Sequence, residues 1–211
     1  MGRIIYDLTL ELSPELLVYP GDPAVEIKEL LSIERGDIVN LSAITTCLHA
    51  GTHIDAPRHF LAGGATVPEL SLEHFIGKAK IFAIEGKDAV EVDDLQKFDI
   101  KRNDRVLLKT KNSALLSRPE FTRDYTYLSP EAAIYLADLG IQTLGFDYLT
   151  IDKFDGQDFG AHYALLRKNI AIIEGLNLRG IEPGEYQLIA MPLKVKGGNG
   201  SPVRAVLIKE S

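Results

Sequence analysis

Residues 47–59 read CLHAGTHIDAPRH and hold three of the five histidines of the chain together with one carboxylate, namely His49, His53, His59 and Asp55. Imidazole nitrogens and carboxylate oxygens are the ligands that suit Zn²⁺ and other first-row divalent ions. Cys47 is the single cysteine, so a site built from several thiolates is excluded. The stretch therefore predicts a metal site, and metal-assisted hydrolysis is the chemistry that such a site favours.

The spacing of these residues indicates a bent backbone. In a straight strand their odd-numbered positions would share one face, but His49 and His53 would lie roughly 13 Å apart. Gly51 permits a bend between them, and Pro57 opposes a helix that continues towards His59. A single helical turn from His49 to His53 would also align two imidazoles, as in the zinc-binding helix motif. Both geometries bring the ligands together.

Four parts of the sequence resemble the cyclase family of metal-dependent hydrolases, which includes the bacterial kynurenine formamidases. Residues 49–59 match the family signature H-x-G-T-H-x-D-x-P-x-H, and residues 19–23 (YPGDP) resemble its aromatic-Pro-Gly-Asp turn. His162 and Glu174 resemble the second metal-binding half. Residues 188–193 (LIAMPL) and 201–205 (SPVRA) resemble its C-terminal strands. The resemblance spans nearly the whole chain.

The resemblance implies two zinc ions per chain, with Mn²⁺ as the other possible metal. His49, His53 and Asp55 would hold the first ion. His162 and Glu174 would complete the second site, with Asp55 and Glu174 as bridging carboxylates. Independently of the family, Glu174 follows three apolar residues in a predicted buried strand, where an unpaired charge is costly and a cation is expected.

His59 is the candidate general acid and base implied by the resemblance, since imidazole exchanges protons near neutral pH. The alternative is that His59 ligates the second ion. His74, on a predicted short helix, is expected to be structural, and Cys47 is expected to pack as a small buried residue rather than act as a nucleophile.

Three functions compete. The first is hydrolysis of an arylformamide such as N-formylkynurenine to formate and an arylamine, by hydroxide formed on the metal. The second is hydrolysis of a cyclic amide, imide or lactone, as in the related isatin hydrolases. The third is a metal-binding protein without turnover. Tyr19 is the candidate substrate-binding residue, but the formamidases typically carry Trp there and this chain has no Trp, which weakens the first assignment.

Composition limits the partners and the location. The chain has 211 residues, 45% of them hydrophobic, and a formal net charge of −7, which argues against nucleic acid and anionic membranes as partners. No signal peptide or membrane-spanning run is evident, and one cysteine allows no internal disulfide, so a cytoplasmic location is expected. A small-molecule amide is the expected substrate, and the family implies a homodimer or homotetramer.

Hydrophobic periodicity and turn residues predict a single α/β domain over residues 1–211, with about eight strands and three helices. The family implies that this domain has the swivelling β/β/α architecture. Strands are expected near residues 4–11, 25–28, 38–48, 78–85, 104–110, 141–146, 170–174, 186–195 and 203–209. Short helices are expected over residues 71–75 and 161–168, and residues 92–98 are ambiguous. Ser129, Pro130 and Glu131 predict a helix start and Gly140 its end. Residues 111–128 predict a long loop, lying over the site or on the solvated surface, and residues 196–200 a turn.

Overall fold

The computed structural model describes residues 2–156 and 158–210. Within that part of the chain there are thirteen strands, three α-helices and five 3₁₀-helices. The strands are β1 (Arg3–Asp7), β2 (Glu26–Leu31), β3 (Leu41–Thr45), β4 (His53–Asp55), β5 (Ile76–Ala83), β6 (Ala89–Val90), β7 (Arg105–Lys109), β8 (Tyr127–Leu128), β9 (Thr143–Phe146), β10 (Ala171–Glu174), β11 (Gly184–Ile189), β12 (Gly200–Pro202) and β13 (Val206–Glu210). The α-helices are α1 (Val92–Leu95), α2 (Pro130–Leu139) and α3 (Gly160–Leu166), and the 3₁₀-helices are Ile33–Arg35, Pro57–His59, Val67–Glu69, Leu72–His74 and Lys111–Ala114.

Nine strands form one curled sheet in the order β1-β13-β11-β5-β7-β9-β10-β4-β12. The central strands β5, β7, β9 and β10 are parallel, and the strands on both sides of them pair antiparallel. Parallel strands need crossover connections, which carry α1, α2 and α3 in this chain. The prediction of a single α/β domain is confirmed.

Two hydrophobic cores lie on the two faces of this sheet. Along β7, the side chains of Val106 and Leu108 join the core that includes α2 and α3, whereas Leu107 joins the core on the other face. All three side chains are fully buried. Successive residues of a strand point to opposite faces, so a strand covered on both sides reads as a continuous apolar run, as β7 does.

Helix α2 begins and ends where the sequence predicts. The Ser129 hydroxyl accepts a hydrogen bond from the backbone N–H of Ala132, Pro130 occupies the first helical position, and Gly140 ends the helix in a left-handed conformation. The buried face of the helix carries Ala132, Ala133, Leu136 and Ala137. This helix packs against α3, which carries His162.

Several elements differ from the sequence-based expectation. The expected strand 38–48 is the shorter β3, and β3 pairs only with β2, in a separate two-stranded sheet. The expected turn at 196–200 ends in β12, because Gly200 pairs with Asp55. The ambiguous segment 92–98 contains α1, and the described part has more than the eight strands expected, because two-residue strands such as β6 and β8 leave no periodicity in the sequence.

The segment 111–128 is partly ordered by a buried carboxylate. Asp147 accepts hydrogen bonds from the backbone N–H and the hydroxyl of both Thr110 and Ser113, at 2.7–3.1 Å, and burial raises its pKa despite these bonds. The 3₁₀-helix Lys111–Ala114 is thereby tied to the end of β9. Among the described helices, none is both long and apolar enough to cross a membrane.

Candidate metal centre

The register between β4 and β10 places three ligand-type side chains on one face. His53 pairs with Glu174 and Asp55 pairs with Ile172 in this antiparallel ladder. Paired residues project to the same side of a sheet, and so do residues two apart on one strand. The side chains of His53, Asp55 and Glu174 therefore meet, and all three residues are buried.

His49 reaches the same place from a turn, not from a helix. Gly51 adopts a left-handed conformation with φ of +63°, which bends the chain between His49 and β4 as the sequence predicts. The hydroxyl of Thr52 donates to the carbonyl of Gly175 at 2.7 Å and accepts from the Leu10 N–H at 2.9 Å, so the bend is tied to the end of β10. Nδ1 of His49 then lies 2.6 Å from Oδ1 of Asp55.

His162 approaches from the helical side, near the start of α3. Its Nε2 lies 3.3 Å from Oδ2 of Asp55 and 3.2 Å from Oε1 of Glu174. The structure thus brings together all five residues that the sequence suggests as metal ligands, His49, His53, Asp55, His162 and Glu174.

The hydrogen bonds of two histidines orient their rings for a cation. Nδ1 of His53 donates to the carbonyl of Gly51 at 2.9 Å, and Nδ1 of His162 donates to Asp152. In the neutral imidazole the other nitrogen, Nε2, then carries a lone pair. Both Nε2 atoms face the carboxylates of Asp55 and Glu174, so acceptor faces acceptor unless a proton or a cation lies between them.

The distances fit a divalent ion. A tetrahedral ion with bonds of about 2.0–2.1 Å separates its ligand atoms by roughly 3.3 Å. Nε2 of His53 lies 3.5 Å from Asp55 Oδ1 and 3.4 Å from Glu174 Oε2. Nε2 of His162 lies 3.3 Å from Asp55 Oδ2 and 3.2 Å from Glu174 Oε1. Oδ2 of Asp55 is buried and makes no hydrogen bond within the described residues. A buried carboxylate oxygen without a partner is costly, and a bound cation would remove that cost.

The pKa values of His53, Asp55 and His162 are shifted in the directions that favour positive charge in the cluster. Burial alone would lower the pKa values of His53 and His162, but hydrogen bonds and charges from neighbouring carboxylates outweigh it and raise both. Burial likewise opposes ionisation of Asp55, yet the neighbouring imidazoles of His162, His49 and His53 hold its pKa well below the usual value. The lowered pKa of Asp55 and the raised pKa values of His53 and His162 both indicate that this buried cluster favours positive charge, which a bound cation would supply.

His59 lies beside this cluster. Its ring stacks on the His49 ring with centroids 3.8 Å apart and packs edge-on against Phe60 at 4.6 Å. The residue is exposed overall, but desolvation of its ring beside these neighbours lowers the pKa of His59 to about 4. His59 is therefore neutral at pH 7.

Two overlapping groups of side chains have ligand atoms close enough to share an ion. One consists of His53, Asp55 and Glu174, and the other of His49, Asp55 and His59. Asp55 belongs to both, which agrees with its expected position between two ions. The second group keeps open the alternative that His59 is a ligand.

A pocket of about 250 Å³ opens onto the cluster. Aromatic and apolar side chains form much of its wall, and the lining residues outside the metal cluster are Tyr19, Asp22, His59, Phe60, Leu149, Thr150 and Phe159. Tyr19 packs against Phe121 and Phe154 at centroid distances of 5.5 and 5.8 Å. Phe121 belongs to segment 111–128 and supports Tyr19 from behind, while the pocket itself is lined by residues of other segments.

Sequence reasoning missed several residues around the site. Asp152 binds His162, and Oδ1 of Asn199 lies 3.2 Å from Nε2 of His49. Phe60 stacks on His162 with centroids 4.5 Å apart. Phe60 directly follows the histidine motif, so its position was a usable signal, but nothing in the sequence pairs Asp152 or Asn199 with a histidine.

The two residues expected to lie outside the chemistry have other contacts. Nδ1 of His74 lies 2.8 Å from the Gln142 carbonyl, between the 3₁₀-helix Leu72–His74 and the segment before β9. Cys47 is half-buried, and its thiol lies 4.0 Å from a carboxylate oxygen of Asp22. Burial raises the pKa of Cys47, which opposes a role as a nucleophile.

The sequence model of the family described as "Putative cyclase" matches residues 6–153. The kynurenine formamidase of Geobacillus thermodenitrificans is 35% identical to this chain over 203 residues, which cover 96% of each protein. The structure of a predicted metal-dependent hydrolase from Bacillus stearothermophilus is 33% identical and covers 100% of both chains with a TM-score of 0.87. Isatin hydrolase A from Ralstonia solanacearum is 21% identical, with a TM-score of 0.85 over 99% of this chain and 92% of that one, which is a likeness of fold alone. Since the family model matches well over half of the chain and the Geobacillus relative aligns almost from end to end, this protein belongs to the cyclase family of metal-dependent hydrolases.

Proposed function

We propose that this protein is an arylformamidase that hydrolyses N-formylkynurenine to kynurenine and formate with bound Zn²⁺. The convergence of His53, Asp55, His162 and Glu174 beneath a pocket with aromatic walls is the observation that carries the proposal. The kynurenine formamidase from Geobacillus supports the choice of substrate, because its identity extends over nearly the whole chain.

His49, His53 and Asp55 would hold one ion, and His162 and Glu174 would hold a second that shares the two carboxylates. When bound, a divalent ion supplies positive charge that polarises the substrate carbonyl and lowers the pKa of water towards about 7. The ions would also supply the positive charge that the buried carboxylates favour, as the raised pKa values of His53 and His162 indicate.

His59 would move the proton. With a pKa of about 4 it is an unprotonated acceptor at neutral pH. It would take the proton of the attacking water and deliver it to the nitrogen of the leaving arylamine as the bond between the formyl carbon and that nitrogen breaks. The stacked ring of His49 would hold the His59 ring in place during this transfer.

The pocket wall would bind the aryl ring. Tyr19, Phe60 and Phe159 present aromatic surface next to the cluster, and aromatic groups favour edge-on or offset packing with a bound ring. Tyr19 is itself supported by Phe121 and Phe154, so its position is set before substrate arrives.

A substrate panel tests the proposal. The Zn²⁺-loaded and Mn²⁺-loaded protein is assayed with N-formylkynurenine, isatin and small cyclic amides, with metal-free protein as the control. We expect the highest kcat/KM for N-formylkynurenine with the zinc form, and loss of activity after chelation. A higher kcat/KM for isatin or a cyclic amide would replace this substrate by the second candidate. The presence of Tyr19 where the formamidases typically carry Trp weakens the first candidate.

The non-catalytic alternative makes a different prediction. It requires bound metal, no turnover of any substrate in the panel and no effect of His59→Ala in any assay. We also propose a cytoplasmic location, which is supported by the single cysteine of the chain.

A further inference from the structure

The pocket above the metal cluster carries a carboxylate that the proposed chemistry does not use. Among the described residues that line the pocket outside the cluster, Asp22 is the only one with a carboxylate, and none is Lys or Arg. The ring of His59 is neutral at pH 7, because its pKa is lowered to about 4. The remaining wall is aromatic, aliphatic or hydroxylic, so Asp22 is the only charge that this wall offers to a substrate.

A tight turn holds Asp22 beside the candidate substrate-binding residue Tyr19. The backbone N–H of Asp22 donates to the Tyr19 carbonyl at 3.0 Å, and Gly21 adopts a φ of +100° that the turn requires. Burial raises the pKa of Tyr19, and the charges of Glu174 and Asp22 raise it further. Tyr19 therefore lies close enough to feel both the metal cluster and Asp22.

The carboxylate of Asp22 is open to a stronger partner than it has. Its Oδ2 lies 4.0 Å from the thiol of Cys47, and a thiol is a weak hydrogen-bond donor. Asp22 is half-buried, so salt would screen an ion pair formed there less than one on the open surface. A cationic group of a bound molecule would supply the charge-assisted hydrogen bonds that such a carboxylate favours.

We propose that Asp22 selects arylformamides that carry an ammonium group. The inference rests on the arylformamidase activity proposed above and adds the part of the substrate that the protein recognises. N-formylkynurenine has both an ammonium and a carboxylate group on its side chain. The ammonium group can donate to Asp22, whereas the described wall of the pocket has no Lys or Arg to pair with the carboxylate.

Four formanilides with the same ring and ketone test this selection. They are N-formylkynurenine, its analogue without the carboxylate, its analogue without the ammonium group, and the neutral 2-formamidoacetophenone. The kcat/KM of each is measured on the zinc-loaded full chain, for the wild type, Asp22→Asn and Asp93→Asn. Asparagine keeps the shape of aspartate and removes its charge. Asp93→Asn is the matched control, because Asp93 is an exposed aspartate in the first turn of α1 and does not line the pocket.

The wild type should prefer the analogue that has only the ammonium group over the neutral compound by about 10-fold to 100-fold in kcat/KM, as expected for hydrogen bonds to a charged group. The analogue that has only the carboxylate should be the poorest substrate, because like charges repel. Asp22→Asn should lose most of the preference for the ammonium group and should hydrolyse the carboxylate analogue better relative to the neutral compound. Asp93→Asn should keep the wild-type ratios.

These ratios compare substrates on one protein, so a general loss of activity or of folded protein in a variant cancels. A wild type that hydrolyses all four compounds with equal kcat/KM would overturn this inference and leave the proposed function in place. Wild-type ratios in Asp22→Asn would also overturn it. So would loss of zinc from Asp22→Asn, measured by mass spectrometry, because Asp22 would then act through the ions. A zinc-loaded wild type without activity on any formanilide would instead overturn the proposed function.

Discussion

His53 lies directly opposite Glu174 in the antiparallel pair of β4 and β10, with Nε2 of His53 3.4 Å from Oε2 of Glu174. Nδ1 of the His53 ring donates its proton to the Gly51 carbonyl. In the neutral ring, Nε2 therefore faces the carboxylate with a lone pair. A pair of buried acceptors at this distance is stable only with a positive charge between them.

Glu174→Gln should therefore abolish most metal binding while the fold persists. The amide keeps an oxygen for the Ile151 N–H, which donates to Oε1 at 2.8 Å, but it supplies no negative charge to an ion. We expect zinc affinity to fall about 100-fold, or about 2.7 kcal/mol. Calorimetric titration measures this, with the exposed Glu185→Gln on β11 as the control. Wild-type affinity in Glu174→Gln would remove this carboxylate from the ligand set.

Gly200→Ala should act on His49 alone. A Cβ at position 200 would lie 2.4–2.9 Å from three atoms of the His49 ring, and no other residue is as near. We expect Gly200→Ala to destabilise the metal-free protein by about 1–3 kcal/mol, as overpacking does, and to lower zinc affinity by displacing the ring.

A double-mutant cycle checks this assignment by urea unfolding. In a His49→Ala background the clash is gone, so Gly200→Ala should then cost less than about 1 kcal/mol. An equal cost in both backgrounds would mean that the strain arises elsewhere in β12.

The stability of the metal-free protein should depend on pH in two opposite ways. The neighbouring carboxylates raise the pKa values of His53 and His162 above 6.5. The stability that these two protonated histidines contribute is therefore fully present below about pH 6.5, and it is lost as the pH rises through their pKa values in the folded protein. The pKa of His59 is lowered to about 4, so stability is lost as the pH falls from 6.5 towards 4.

The Tm of chelator-treated protein should therefore reach its maximum near pH 6.5 and decline on both sides. Zinc should raise the Tm most at pH values above 6.5, because there the metal replaces the protons that His53 and His162 release. Thermal scans across the pH range, with and without zinc, measure both effects. A metal-free Tm that rises steadily from pH 6.5 to 8 would contradict the raised pKa values.

His59→Ala should separate proton transfer from metal binding. If His59 moves the proton, kcat falls about 10²-fold to 10⁴-fold while the metal content per chain stays the same. Parallel measurement of kcat and of metal content by mass spectrometry is the check. A loss of one metal per chain in His59→Ala would show that His59 is a ligand, as its closeness to His49 and Asp55 allows.

The local features of this fold could be predicted from the sequence because short-range rules govern them. Ser129, Pro130 and Gly140 mark α2, and Gly51 marks the bend in the histidine motif. Strands were expected near β2 and β3, but their separation from the main sheet could not be predicted. Their apolar residues follow the pattern of a half-buried strand, whereas the structure leaves them exposed.

The candidate site divides in the same way. The residue types and spacing of His49, His53 and Asp55 predict a metal site, because two imidazoles and a carboxylate within one short bend are typical of metal ligands. Glu174 is conspicuous as a charge in an apolar strand, but its opposition to His53 depends on the order and register of strands that are distant in the chain.

By itself the sequence determined the ligand chemistry, the bend that gathers the motif and the family of the fold. Only the tertiary structure decided that His162 and Glu174 lie against Asp55, that Asp152 orients His162 and that the ring of His59 stacks on His49. Side-chain identity and local backbone preference act over a few residues, whereas these contacts depend on how a nine-stranded sheet curls and where a helix packs upon it.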